Sequence, residues 1–295
     1  MVRRLKADVL DQLPTKRRQR ILLTLNGSKG SAAATELANL DKAMASMPAS
    51  DERGRQHLLS QMCVALGAAK AQAAADFVLE MLPSCERLLF FAHHKSMLDA
   101  VGAAAASAGV RTFRIDGAVP AIERASLVNS FQALPPGKPA IFLLSILAAG
   151  QGLTLTAACT AVFGELRWTP GELLQAEDRC HRIGQRSAVN VYYLVARDTA
   201  DEAMWAVLQR KVRSLGAALD GQRKLKLSVA EESERTVAIG DADQQDLTNP
   251  LPAGIEGAND SSSEALGLLA RKAERERLLK RVRCPPDRPA VRVCG

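Results

Sequence analysis

The chain has 295 residues and a formal net charge of +7, with 47% hydrophobic residues, few of them aromatic, and six scattered cysteines. Such a length gives ample core, and abundant alanine with few aromatics argues against a β-sandwich and for a helix-rich α/β fold. The charge suits a polyanion partner without identifying one, and cysteines lacking any C-x-x-C pair, beside an adjacent His93-His94, read as reduced thiols with no metal site or disulfide framework.

Residues 1–25 read as a basic helix, a break at Pro14 and a short strand through Ile21, Leu22 and Leu23. A Gly/Ser/Ala-rich turn from Gly27 to Ala34 leads into a helical segment ending near Pro48. From Asp51 the residues Leu58, Met62, Leu66, Ala69, Ala73, Phe77 and Met81 keep one face, which predicts a long packing helix stopped by Pro83. Neither a secretory h-region nor an apolar run long enough to span a bilayer is expected, which points to the cytosol or nucleus.

Strands and helices alternate from Leu88. The pattern predicts strands over Leu88–Ala92, Val110–Ile115, Pro139–Ser145, Ala161–Leu166 and Val189–Val195. Helices are predicted over Ser96–Ala108, Pro120–Phe131 and Thr199–Leu215. Continuous apolar strands in this order imply a parallel sheet with helices on both faces and ligands at the carboxyl ends of the strands. The chain thus divides into a helical lead-in over 1–87, an α/β domain over 88–221 and a tail over 222–295. Acidic, Gly/Pro/Ser/Asn-rich sequence from Glu231 to Glu264 predicts disorder there, and the arginines and lysines within 265–283 allow a basic helix.

Three strand ends carry candidate chemistry. The first gives His93-His94-Lys95-Ser96, with Ser96 and Asp99 as a possible capping box; the second gives Asp116-Gly117, followed by Glu123-Arg124. The third gives the loop from Ser145 to Thr154, in which Gly150 and Gly152 either let backbone N–H groups approach a phosphate or simply turn the chain.

Thr169-Pro170-Gly171-Glu172 then reads as a capping box with proline at the first helical position, a device worth about 1 kcal/mol. Leu173, Ala176, Cys180 and Ile183 recur at helical spacing as a buried stripe, and Gly184 closes the helix. Gln175, Arg179 and Arg182 share a second face. On spacing alone, that face suits either a polyanion or plain solvent.

The stretch Gln175-Ala-Glu-Asp-Arg-Cys-His-Arg-Ile-Gly-Gln185 closely resembles the last motif of Swi/Snf-type superfamily-two DNA translocases. F-A-H-H-K-x-M-L-D from Phe91, R-I-D-G from Arg114, S-I-x-A-A-G-Q-G-L-T from Ser145 and E-L-x-W-x-P-G from Glu165 resemble the family's preceding motifs in order. R-R-L-K-x-D-V-L-x-Q-L-P-x-K-x-R from Arg3 resembles the segment joining the family's two lobes. The resemblance covers roughly Met1 to Gly221 and implies a second RecA-like lobe. Ser145-Ile146 and Glu165-Leu166 favour the fork-remodelling, annealing-helicase branch, while Arg167 departs from the aromatic residue usual there.

That resemblance implies Arg179 and Arg182 as arginine fingers on the γ-phosphate of ATP. It implies Gln175, Gly150, Gln151, Gly152 and Asp178 as nucleotide-binding neighbours, and Lys95, Gly117, Arg124 and Ser145 as DNA contacts. The implied cofactor is ATP with Mg2+, whose metal ligands come from a first lobe. The implied partner is forked or branched DNA read without regard to sequence, and the implied compartment is the nucleus. No G-x-x-x-x-G-K-[ST] or D-E-x-H run occurs in the chain. The expectation is therefore the C-terminal part of a translocase whose first lobe lies outside this chain. The alternatives are a stand-alone module that binds DNA or a partner without ATP turnover, and a split enzyme completed in trans.

Overall fold

A computed structural model describes residues 13–25, 32–48, 50–148, 152–220 and 231–237. Its strands are β1 (Lys16–Leu25), β2 (Arg87–Ala92), β3 (Arg111–Ile115), β4 (Ala140–Ser145), β5 (Thr160–Phe163), β6 (Val189–Ala196) and β7 (Glu231–Val237). Its helices are α1 (Ala32–Ser46), α2 (Glu52–Met81), α3 (Lys95–Ser107), α4 (Ala121–Gln132), α5 (Pro170–Glu177) and α6 (Ala200–Asp220). The strands form one sheet in the order β3-β4-β2-β5-β6-β1-β7, and every pair is parallel. This is the RecA-like α/β architecture expected.

Alternation along β2 shows why both faces are covered. Leu88, Phe90 and Ala92 pack with Phe77 and Val78 of α2 and Met97, Leu98 and Val101 of α3. Leu89 and Phe91 point the other way, among Phe131 of α4, Leu173 of α5 and Trp205 of α6. On that second face Phe91 stacks on Phe163 and Phe163 on Tyr193, each pair with centroids 4.8 Å apart, and Tyr193 leans on Trp205. Burying each such ring contributes about 1.5–3 kcal/mol. The ladder leads from the centre of the sheet to the site.

Three expectations are corrected here. By length and composition α2 could cross a membrane, although no such run was expected. Its apolar residues are instead used inside the fold, since Ala69, Ala73, Ala74, Phe77 and Val78 are all buried. Ser96 and Asp99 make no capping box: His94 takes the N-cap of α3 without a side-chain bond, and Asp99 pairs with Arg114 of β3. Glu231–Val237, read as the start of a disordered stretch, is a strand, with Gln19 opposite Glu231 and Arg20 opposite Glu232 in its pairing with β1. The possible basic helix over 265–283 lies outside the described residues.

Candidate functional site

Helix α5 starts where expected but ends early. Thr169 occupies the N-cap with extended backbone, yet its side chain caps nothing. Glu172 turns instead to Arg167, whose Nε donates to it at 2.8 Å. The helix stops at Glu177 rather than running to Gly184. Beyond it Arg179 N–H bonds the Ala176 carbonyl and Cys180 N–H the Glu177 carbonyl, three residues back rather than four. His181 N–H still reaches four residues back, to the Glu177 carbonyl at 3.1 Å, and this irregular winding breaks the phase of the stripe. Leu173, Ala176 and Cys180 are buried as expected, but Ile183 is 71% exposed. Gly184, with φ of +100°, serves a turn at the far end of this segment.

Glu177 anchors the segment. Its side chain is fully buried, and its carboxylate accepts bonds from Lys16 Nζ at 2.7 Å, Arg18 Nε and Nη2 at 2.6 Å each, and Tyr193 Oη at 2.7 Å. Burial alone would raise its pKa. The Arg18 hydrogen bonds and the charges of Lys16 and Arg18 outweigh that and hold it down at about 2. Burial and the neighbouring Glu177 charge push the Tyr193 hydroxyl far up, so it stays a donor. Gln185 fixes the other end, its Nε2 donating to the carbonyls of Thr156, Ala158 and Cys180 at 2.9–3.2 Å and its Oε1 accepting from Arg186 and Ser187 N–H.

Between these anchors lie the two arginines. Arg179 Nη1 reaches the Leu153 carbonyl at 3.5 Å, and Arg182 Nη1 reaches the Gly152 carbonyl at 3.4 Å and Thr154 Oγ1 at 3.2 Å. Both guanidiniums therefore meet on the glycine loop. Gly152 has φ of +73° with open space where a Cβ would stand, so backbone conformation and not crowding is what requires glycine. Burial and then the charge of Arg182 lower the pKa of Arg179, and Asp178 partly offsets this. Gln175 is exposed one turn away, and Gly150 and Gln151 lie outside the described residues.

The remaining predicted residues gather at the opposite edge. Lys95, Gly117 and Ser145 follow the carboxyl ends of the adjacent strands β2, β3 and β4. The arginine segment instead borders the amino ends of β5, β6 and β1, where Thr15 carbonyl bonds Val189 N–H and Cys159 carbonyl bonds Asn190 N–H. Arg124 uses its guanidinium on the turn that carries Gly117, with Nε at 2.8 Å from the Val119 carbonyl and Nη2 at 3.3 Å from that of Asp116. Asp116 braces the same turn through Ala118 N–H, which is the largest cause of its lowered pKa.

Beside Lys95, the buried Glu165 accepts from His93 and His94 N–H and from His94 Nδ1 at 2.6–2.8 Å. A Cβ at Gly67 of α2 would collide with this carboxylate, so α2 approaches only as glycine there. Burial, then the charges of Arg167 and His94, push His93 down to about 4. His93 is thus neutral near pH 7, and the cation exposed beside it is Lys95.

Residues 70–184 match the helicase conserved C-terminal domain. Over 235 residues the chain is 45% identical to the DNA annealing helicase and endonuclease ZRANB3 of Mus musculus, covering 79% of this chain and 22% of that protein. It is 38% identical over 277 residues to the SWI/SNF-related matrix-associated actin-dependent regulator of chromatin subfamily A-like protein 1 of Xenopus tropicalis, covering 92% of this chain and 28% of that protein. The chain carries a Swi/Snf-type helicase C-terminal lobe. Among solved structures, the C-terminal part of the Fun30 ATPase domain aligns with 68% of this chain and 54% of its own at 20% identity, with a TM-score of 0.47.

Sequence reasoning about this Swi/Snf-type lobe missed its anchors. Glu177, His181 and Gln185 stood in the quoted motif, but its reading fell on the arginines. Glu177 stands four residues after Leu173 and three before Cys180, on the flank of the apolar stripe, where a carboxylate reads as the edge of the stripe and not as a buried anchor. The signal available was charge: Lys16 and Arg18 alternate on a strand that must be half-buried, and such cations require a carboxylate.

Proposed function

We propose that the lobe supplies the arginine half of a composite ATP site in a DNA translocase or annealing helicase acting in the nucleus on forked or branched DNA. The first RecA-like lobe, in cis or in trans, supplies the phosphate lysine and the ligands of Mg2+. The observation that carries this reading is the meeting of Arg179 and Arg182 on the Gly152–Thr154 loop. Planar, always charged guanidiniums match the γ-phosphate bidentately and oppose the charge that builds as it is transferred. Lys95, Gly117 and Ser145 sit at the opposite edge and fit DNA phosphates, which carry little sequence information and so suit a motor that travels.

Two outcomes follow. The 295-residue chain alone is expected to show no DNA-stimulated ATP hydrolysis, because it contains no phosphate-binding lysine motif. Turnover on forked DNA that Arg182→Ala abolishes would sink this and reveal a nucleotide site wholly within the chain. The chain is also expected to bind DNA weakly, with a shallow salt dependence in which Lys95→Ala lowers the slope by about one. A steep slope indifferent to Lys95→Ala and lost on deleting 265–295 would move the DNA site to the tail.

A further inference from the structure

We infer that Glu177 and His181 are positioning residues that tie the segment Pro14–Arg18 to the arginine pair, so that a shift of this segment moves Arg179 and Arg182. The inference rests on the reading of those arginines given above. Four short contacts hold the segment. Glu177 takes Lys16 and Arg18 at 2.6–2.7 Å, His181 Nε2 donates to the Pro14 carbonyl at 2.8 Å, and Thr15 carbonyl accepts Val189 N–H at 2.9 Å. Lys16 Nζ also lies 3.6 Å from Asp178 Oδ1. Arg179 is thus bracketed by two residues pinned to the segment, and Arg182 follows directly on the second of them.

Side-chain contacts on the two sides of the arginine segment differ in strength. On the loop side the guanidiniums make contacts of 3.2–3.5 Å, and Arg182 is exposed. Contacts that long are weak, whereas charge-assisted bonds near 2.7 Å are about twice as strong as neutral ones. The backbone is held from both sides, since Leu155 N–H just past the loop donates to the Arg179 carbonyl at 2.9 Å, while Glu177 and His181 on either side of Arg179 are set by Pro14–Arg18. In the lobe order that the motifs imply, this segment arrives from the partner lobe. Glu177 and His181 would then pass the relative placement of the two lobes to the groups that meet the γ-phosphate.

The test uses the full chain and inorganic tripolyphosphate as the anion, with the Nε–Hε resonances of Arg179 and Arg182 as the reporter and a thermal melt of every variant alongside. Arg179→Ala should weaken tripolyphosphate binding, which checks the underlying reading. His181→Leu removes the bond to Pro14 and should weaken binding roughly fivefold or more at an unchanged melting temperature. His181→Gln keeps an N–H donor near the Nε2 position and should restore it. Lys16→Met, which leaves Arg18 on Glu177, should shift both arginine resonances. If Arg179→Ala weakens binding but His181→Leu does not, or if the loss tracks the melting temperature and glutamine does not restore it, this inference fails and the arginine reading stands. If Arg179→Ala leaves binding unchanged, the arginine reading fails and this inference with it.

Discussion

Arg179→Ala or Arg182→Ala, in a fusion that places a Swi/Snf-type first lobe ahead of this chain, is expected to lower ATP turnover by about 10³-fold or more. The fold should hardly notice. Arg182 is exposed, its contacts to Gly152 and Thr154 are 3.4 and 3.2 Å long, and the Arg179 bond to Leu153 is 3.5 Å. A surface change such as Arg182→Ala usually falls within about 0.5 kcal/mol, and Arg182 is the cleaner position because Arg179 is half-buried with its Nε out of solvent. A purely structural role would have the arginines hold their helix by pairing with Glu177 or Asp178. Glu177 is already occupied by Lys16, Arg18 and Tyr193, whereas the charge of Asp178 acts on Arg179, so the thermal melt is the readout that tests that pairing. The loss should therefore fall on the transition state, where charge gathers on the transferred phosphoryl group. Arg→Lys should recover little, because an ammonium cannot make the forked contact. Steady-state ATPase rates and thermal melts on the same proteins decide the matter, and parallel losses in both would return these residues to a structural role.

The sheet was legible because its strands are continuous apolar runs, and nothing competes with burial on both faces for Leu88–Ala92 or Ala140–Ser145. Helix ends were less so. Ile183 matched the apolar stripe by counting, but counting assumes constant winding, and tighter turns after Glu177 swing it outward. The capping box at Thr169 failed for a related reason, since Arg167 offers Glu172 a cation that competes for its carboxylate. The motif named the two arginines and the loop they meet on. Spacing could not show that β1, far away in sequence, lies beside β6 and brings Lys16 and Arg18 to Glu177. Long-range parallel pairing leaves no local trace in a sequence. It is visible only as unexplained basic residues in a half-buried strand.

Glu177→Ala is expected to be the most destabilising single change at the site, and acid should imitate it. Removing the carboxylate takes the bonded counter-charge from Lys16 and Arg18, whose side chains are only 16% and 15% exposed, leaves Lys16 with Asp178 at 3.6 Å, and orphans the buried Tyr193 hydroxyl. Breaking a buried pair from one side costs about 3–5 kcal/mol, which in a domain of this size lowers the melting temperature by roughly 6–20 °C. The pH dependence follows from the same contacts. Hydrogen bonds from Arg18 and the charges of Lys16 and Arg18 overcome the cost of burial and bring Glu177 from the ordinary 4.5 to about 2 in the folded protein. A group whose folded pKa lies below its unfolded one contributes in full above the unfolded value. That contribution drains away as pH falls from about 4.5 towards 2. It amounts to about 3 kcal/mol by linkage, in keeping with the cost of the substitution. Other carboxylates, Glu165 and Asp116 among them, also sit below their usual range, so the wild-type acid slope alone is ambiguous. Glu177→Gln isolates the group, because glutamine keeps the shape and carries no titratable proton. Urea unfolding at steps between pH 6 and 2 should show the wild type losing its advantage over Glu177→Gln as the pH drops. If the gap stays constant across that window, Glu177 is not held as a charged anchor.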